Sequence, residues 1–241
     1  MHELLAPIQS PSLKEVFIQR FEELILSGQL KIGQKLPSER ELTLRLGVSR
    51  PVVHSGLVDL EAKGLITLMP RVGAVVNDYR KEGSLALLNS LVAYQQGRLE
   101  TDLQESLLDV RRLFEVENAR LAALHREEEH LRALDDVIAR ETRIPGHDVT
   151  GLATLDFEFH HLLALASGNR IYPLLLNSFK QVYLNLAAQF FEEPAVVKSV
   201  HAFHREMFSD IKTSDPDAAM AVMERLLAHG AEHLRKMCQT G

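Results

Sequence analysis

The amino-acid sequence predicts a mainly α-helical protein in two parts: a helix-turn-helix closed by a small β-hairpin wing, then an all-α helical bundle. Three observations lead there. Two capping-box starts, Ser12 with Glu15 and Ser38 with Glu41, stand ahead of apolar residues at helical spacing. One short stretch of β-branched and apolar residues, broken by Pro and Gly, follows at 65–76. From about residue 84 onward the periodicity is helical, with almost no strand signal.

The first helix is expected over 12–27, where Val16, Phe17, Phe21, Leu24 and Ile25 recur at helical spacing and Gly28 supplies a stop. A short second helix starts at Ser38, carries Leu42, Leu44 and Leu46, and closes at Gly47. Ser49 is expected to cap a third, with Pro51 in its first turn, Val53, Leu57 and Leu60 on one face, and Gly64 as its stop. Two helices joined by a tight glycine turn make a helix-turn-helix, and the hairpin at 65–76 is its wing. The boundary falls near Asn77–Gly83, which places the first domain at 1–77, a linker at 78–84 and the helical domain at 85–241. Seven helices are expected there, at about 85–95, 102–125, 127–142, 149–167, 170–192, 195–213 and 216–238, an architecture that builds ligand and metal sites between facing helices.

Composition narrows the class. At 241 residues, with 46% hydrophobic and 25% charged, the chain has the make-up of a soluble globular protein of two domains. No apolar run approaches the ~18–20 residues that span a bilayer, and the opening MHELLAPIQS lacks a signal-peptide pattern, so a cytoplasmic protein with no membrane partner is expected. A lone cysteine, Cys238, excludes an intrachain disulfide and a cysteine-based zinc motif and reads as a surface thiol. The net charge of −6 argues weakly against nucleic acid, but residues 1–80 carry 10 basic and 9 acidic side chains against 17 and 24 for the rest. A near-neutral half binds phosphates when its basic residues share one face.

A helix-turn-helix lays its second helix in the major groove, with that helix's N-terminal residues at the base edges. Arg40, Arg45 and Arg50 lie in or just before these elements, and arginine suits both guanine edges and phosphates. The competing reading is that they solvate a helical surface. The segment GQLKIGQKLPSERELTLRLGVSRPVVHSGLVDLEAKGLITLMPRVGAVV closely resembles the GntR-family signature of bacterial transcription regulators, over about residues 12–77. That resemblance implies that Arg40 and Arg50 contact operator DNA, with Pro51, Val52 and the wing around Arg71 and Gly73 nearby. With Arg45, Ser49 and His54 these form the expected DNA-binding set. Where the family has arginine followed by glutamate in the recognition helix, this chain has His54 and Ser55, so part of the usual contact set is missing.

The segments LLDVRRLFEVENARLAALH and LDFEFHHLLALASGNRIYPLLLNSFKQVYLNLAAQFFEEP are similar to the helical effector domain of the FadR branch of that family, over about 85–237. The resemblance implies a ligand-responsive regulator, a repressor of a metabolic operon. Many members of the branch hold a divalent metal through an aspartate and three histidines and use it to bind a carboxylate effector, whereas a fatty-acid-responsive subgroup lacks the metal and binds acyl-CoA. ASGNRIYPLLLNSFKQVYLN leans toward that subgroup.

Asp156 and His160, four apart, project from one helix face and suit one ion between an oxygen and an imidazole nitrogen. His204 falls at the family's next histidine. By the same spacing the last ligand belongs at 226, where this chain has Leu226, and His229 one turn on is the substitute. A mixed oxygen and imidazole set points to zinc, nickel or manganese. Arg111, in the matching helix, is expected to anchor an effector carboxylate. The alternatives are a surface pair at Asp156 and His160, a partly buried structural His204, and a solvated Arg111 beside Arg112.

Three ligands and an open position also describe a catalytic metal, but no phosphate loop, nucleophile elbow or HExxH motif is present, so no enzyme is expected. A homodimer is expected, because one helix-turn-helix covers only one half-site.

Overall fold

The structure is a computed structural model that describes residues 11–95 and 100–240. The opening segment 1–10, Gly97 and the side chain of Cys238 lie outside the described residues. The chain divides into two compact units, Met1–Gly97 and Arg98–Gly241.

In the N-terminal unit, helices α1 (Leu13–Leu26), α2 (Glu39–Leu46) and α3 (Arg50–Ala62) precede strands β1 (Ile66–Met69) and β2 (Gly73–Val76), followed by short α4 (Tyr79–Glu82) and α5 (Leu87–Tyr94). Both expected capping boxes form, with the Ser12 and Ser38 hydroxyls accepting from Glu15 and Glu41 N–H. Gly47 ends α2 at φ 65°, a left-handed conformation that lets the chain turn at once into α3. Inside α3, Gly56 meets α1 so closely that a Cβ there would lie 2.3 Å from the Phe17 ring. Phe17, Phe21, Leu42, Val53, Leu57, Leu60 and Ile66 form the core beneath.

Ser49 departs from expectation. It occupies the N-cap position of α3 in extended conformation but makes no side-chain cap bond, so its hydroxyl stays exposed.

The wing is antiparallel, with Ile66 opposite Val76 and Met69 opposite Gly73. Its turn is closed by Val72 N–H donating to Met69 C=O, with Pro70 and Arg71 at the centre and Arg71 at φ 64°. The sequence reading left 29–37 without structure. In fact Leu36 N–H donates to Ala74 C=O and Val76 N–H to Gln34 C=O, so this segment lies along β2 and braces the wing.

By packing, α5 belongs with the N-terminal unit, although its sequence was read as the first helix of the second domain. Leu87 joins the N-terminal core, and Ser90 donates to Glu22 of α1 at 2.8 Å while accepting from Lys63 at 2.9 Å. Lys63 also pairs with Glu22, so a buried carboxylate, an ammonium and a hydroxyl satisfy one another and fix α5 on α1.

The C-terminal unit is a bundle of α6 (Thr101–His125), α7 (Glu128–Glu141), α8 (Val149–Ala166), α9 (Tyr172–Phe191), α10 (Pro194–Thr213) and α11 (Pro216–Thr240). α8 packs on α6, α7 and α9, and α10 on α6, α7, α9 and α11. The six expected spans match these helices to within a few residues at each end. Among the described residues no helix is long and apolar enough to cross a membrane.

Candidate functional site

Two sites stand out, one in each unit. On the N-terminal unit Arg40, Arg45, Ser49, Arg50, Pro51, His54, Arg71 and Gly73 are exposed and Val52 is half-buried. Arg40 and Arg50 line one depression between α2 and α3 with Thr43 and Leu44. One residue of this face escaped the sequence reading. Glu39, at the start of α2, accepts from Arg50 Nε at 3.3 Å and from His54 Nδ1 at 2.9 Å. The hydrogen bond from His54 is the main reason the Glu39 carboxyl sits below its ordinary range, with Arg50 adding to it. Glu39 therefore holds Arg50 and His54 of the recognition helix in place and offsets part of the Arg50 charge.

In the bundle, Asp156 and His160 of α8 meet His204 of α10. All three are buried, and one potential ligand atom from each lies within 4.8 Å of the others. The four-residue spacing puts the first pair on one face of α8, as expected. His204 is fully enclosed, its ring stacked on Phe159 with centroids 3.8 Å apart. Its Nδ1 lies 2.6 Å from Glu141 Oε1. A carboxylate only accepts, so Nδ1 carries the hydrogen, and the neutral form of the ring, the form that ligates a metal, has its lone pair on Nε2. That Nε2 has no hydrogen-bond partner and faces Asp156 Oδ1 at 3.6 Å. Two acceptors facing each other in a buried site are a mismatch that a cation between them resolves. Bonds of about 2.1 Å to a shared ion place ligand atoms roughly 3.0–3.6 Å apart, so the donor set fits a divalent metal.

The surroundings orient these groups. Tyr183 of α9 donates to Asp156 Oδ2 at 2.5 Å, and Glu115 of α6 touches His160 Nδ1. Glu115 also accepts from Arg111 Nε at 2.6 Å, and the Arg111 guanidinium lies 4.4 Å from the Tyr183 ring centre. Burial by itself would raise the Glu115 carboxyl, but Arg111 and His160 outweigh it and hold it down at about 2. Burial, then Asp156, pushes the Tyr183 hydroxyl well above its usual range, so it stays a donor. Carboxylates behind two imidazoles are the outer partners that metal-binding histidines characteristically have.

His229 does not join the three. It lies one turn too far along α11, where its ring sits among Phe190, Phe203 and His233. Leu226, at the spacing of a fourth ligand, is buried and lines a cavity beside the site instead. Glu115, Glu141 and Tyr183 were missed. Glu115 had a signal in its four-residue spacing from Arg111, whereas Glu141 stands 63 positions from His204 and no local pattern marks it.

A winged helix-turn-helix followed by a separate helical bundle is the build of a DNA-binding transcription regulator. Residues 13–76 match the family described as bacterial regulatory proteins, gntR family, and residues 77–240 match the FadR C-terminal domain. The chain therefore belongs to the GntR family, as a DNA-binding transcription regulator with a FadR-type effector domain, and not to an enzyme family.

Among its relatives, the HTH-type transcriptional regulator Mce2R of Mycobacterium tuberculosis is 29% identical over 223 residues, covering 92% of each chain. The Glc operon transcriptional activator of Escherichia coli is 30% identical over 214 residues, 85% of this chain and 82% of that one. The fatty acid metabolism regulator protein of Yersinia pestis is 28% identical over 214 residues, 87% and 84%. The fold is shared with the solved structure of Lar, described as controlling the expression of the Listeria monocytogenes agr system, at TM-score 0.66 and 16% identity over 95% of this chain and 99% of that one.

Proposed function

We propose that the protein controls a metabolic operon from the cytoplasm as a homodimer, reading operator DNA with α3 and the wing and sensing a carboxylate effector beside a divalent metal in the bundle. The observation that carries this reading is the buried Asp156, His160 and His204 group with its unpartnered His204 Nε2. Zinc, nickel or manganese suits the set. When bound, such an ion neutralises Asp156 and offers an open position to an anionic oxygen.

The chain's own residues do the rest. Tyr183 and Glu141 fix Asp156 and His204, Glu115 fixes His160, and Arg111 holds N–H groups toward the same cavity. On the DNA side, Ser49, Arg50, Pro51 and His54 present polar and basic groups at the exposed start of α3, while Arg40 and Arg45 of α2 supply phosphate contacts.

Dimerisation is supported by exposed apolar residues on the bundle, Val110 and Leu113 on α6 and Leu174 on α9, and by the two-fold symmetry of paired half-sites. Sedimentation at micromolar concentration tests it, and a monomer with full operator affinity would contradict it. The competing effector, acyl-CoA, draws on the likeness to the fatty acid metabolism regulator of Yersinia pestis. A titration of operator release by simple carboxylates and by acyl-CoA, with and without added metal, distinguishes the two.

A further inference from the structure

Beside the three buried ligating groups, the bundle holds a cavity of about 270 Å³ walled by α6, α8, α9, α10 and α11. Its polar end carries Arg111, Asp156 and His160. The remaining wall combines apolar side chains, with Leu186 and Phe190 from α9, Val200 from α10, and Leu226, Leu227 and Leu234 from α11, and the charged pairs and carboxylates of Asp109, Arg112, Glu224 and Arg235.

Charge limits what enters. Arg112 and Arg235 also border the cavity, but Arg112 pairs with Glu224 and Arg235 with Glu105, the latter through two contacts of 2.6 and 2.5 Å. Arg111 gives two N–H groups to Glu115, and its side chain is 17% exposed where those of Arg112 and Arg235 are 67% and 50% exposed, so a ligand charge is screened least at Arg111. One buried cationic donor group matches one carboxylate. A second carboxylate, or a row of hydroxyls, would lie against Leu186, Phe190 and Leu226 with no partner, each such group lowering affinity about tenfold or more.

Size limits it further. A dry cavity of about 150 Å³ holds a benzene molecule, so 270 Å³ holds roughly eleven non-hydrogen atoms. A long-chain acyl-CoA is several times larger than this cavity.

We infer that this cavity binds a monocarboxylate with a compact apolar body of about seven or eight carbons, its carboxylate at Arg111 and its body along Leu186, Phe190 and Leu226. The inference rests on reading the bundle as the effector site. Leu226 is then the specificity residue: where a fourth ligand would have made that wall polar, its side chain extends the apolar lining.

Calorimetric titration of the full chain, metal-loaded and metal-free, with acetate, butanoate, hexanoate, octanoate, dodecanoate, palmitoyl-CoA, succinate and gluconate tests this. Affinity is expected to rise about fourfold per methylene up to octanoate, the factor for burying one CH₂, and to fall by dodecanoate. Leu226→Phe, which narrows the cavity without adding a polar group, is expected to move the optimum to a shorter chain, with an unchanged melting transition confirming its fold. Tighter binding of succinate than of octanoate, abolished by Arg111→Lys, would keep the effector site and overturn the single carboxylate, and the same result with gluconate would overturn the apolar body. Tightest binding of palmitoyl-CoA would overturn the size limit. Binding of none of them would overturn the effector site itself.

Discussion

Tyr183 gives its hydroxyl hydrogen to Asp156 Oδ2 at 2.5 Å, which leaves the other carboxylate oxygen, Oδ1, facing His204 Nε2 at 3.6 Å. One residue from α9 thereby orients the carboxylate on α8 toward the imidazole on α10. Tyr183→Phe removes that donor and leaves Oδ2 buried without it, at a cost of about 1–3 kcal/mol. Outer-partner losses also weaken metal sites by about 10- to 100-fold. Urea unfolding and a zinc competition titration should show both effects, and a variant with wild-type zinc affinity would mean that Tyr183 serves packing alone.

Arg50 begins the recognition helix and its side chain is 80% exposed, so Arg50→Ala leaves the core intact. Loss of one good base contact is worth about 1–3 kcal/mol, which is about five- to 150-fold in affinity. Gel-shift titration at fixed salt measures it. Retained affinity and selectivity would place the DNA elsewhere.

Glu39 opposes the positive charge of that helix, and Glu39→Gln is expected to strengthen binding to random-sequence DNA and to steepen its dependence on log salt by up to about one unit, while operator selectivity falls. The same contact contributes less than about 1 kcal/mol to stability. Because the Glu39 carboxyl is lowered from 4.5 in the folded chain, that contribution is present above pH 4.5 and fades as pH drops through the folded value. Urea unfolding across a pH series from 7 downward should show wild type ahead of the variant at pH 7 and the difference shrinking once the pH falls below 4.5.

Arg71 occupies a left-handed backbone position, φ 64°, that glycine adopts without strain. Arg71→Gly is therefore expected to stabilise the wing by up to about 1 kcal/mol while weakening operator binding, since the residue is exposed at the wing tip. A variant with raised melting temperature and unchanged DNA affinity would show that the strain serves no contact.

Much of this was legible before the structure. Ser12 with Glu15 and Ser38 with Glu41 marked real helix starts because a capping box is local chemistry, complete within four residues. Asp156 and His160 share one face of α8 for the same reason, since a four-residue spacing is local. What stayed hidden depends on distant partners. Glu141 reaches His204 from another helix, Ser90 binds α5 to α1 through Glu22, and the 33–36 segment pairs with β2 across about 40 positions. His229 misled because helical spacing fixes a residue's turn but not what its ring packs against. Ser49 misled because the residue type suits a cap that its hydroxyl does not make.

The claim on which the account turns is that Asp156, His160 and His204 hold one divalent ion. Native mass spectrometry with elemental analysis of the purified chain, joined to melting curves of chelator-treated protein with added zinc, nickel or manganese, tests it most directly. Ion at 100 times its dissociation constant stabilises the folded state by about 2.7 kcal/mol, which for a unit of this size raises the melting temperature by roughly 5–10 °C. The account predicts one ion per chain and that shift in wild type, with both lost in the His160→Ala, His204→Ala double variant. A wild-type chain that carries no ion and shows no shift with any of the three metals, or a double variant that shifts as far as wild type, would contradict it.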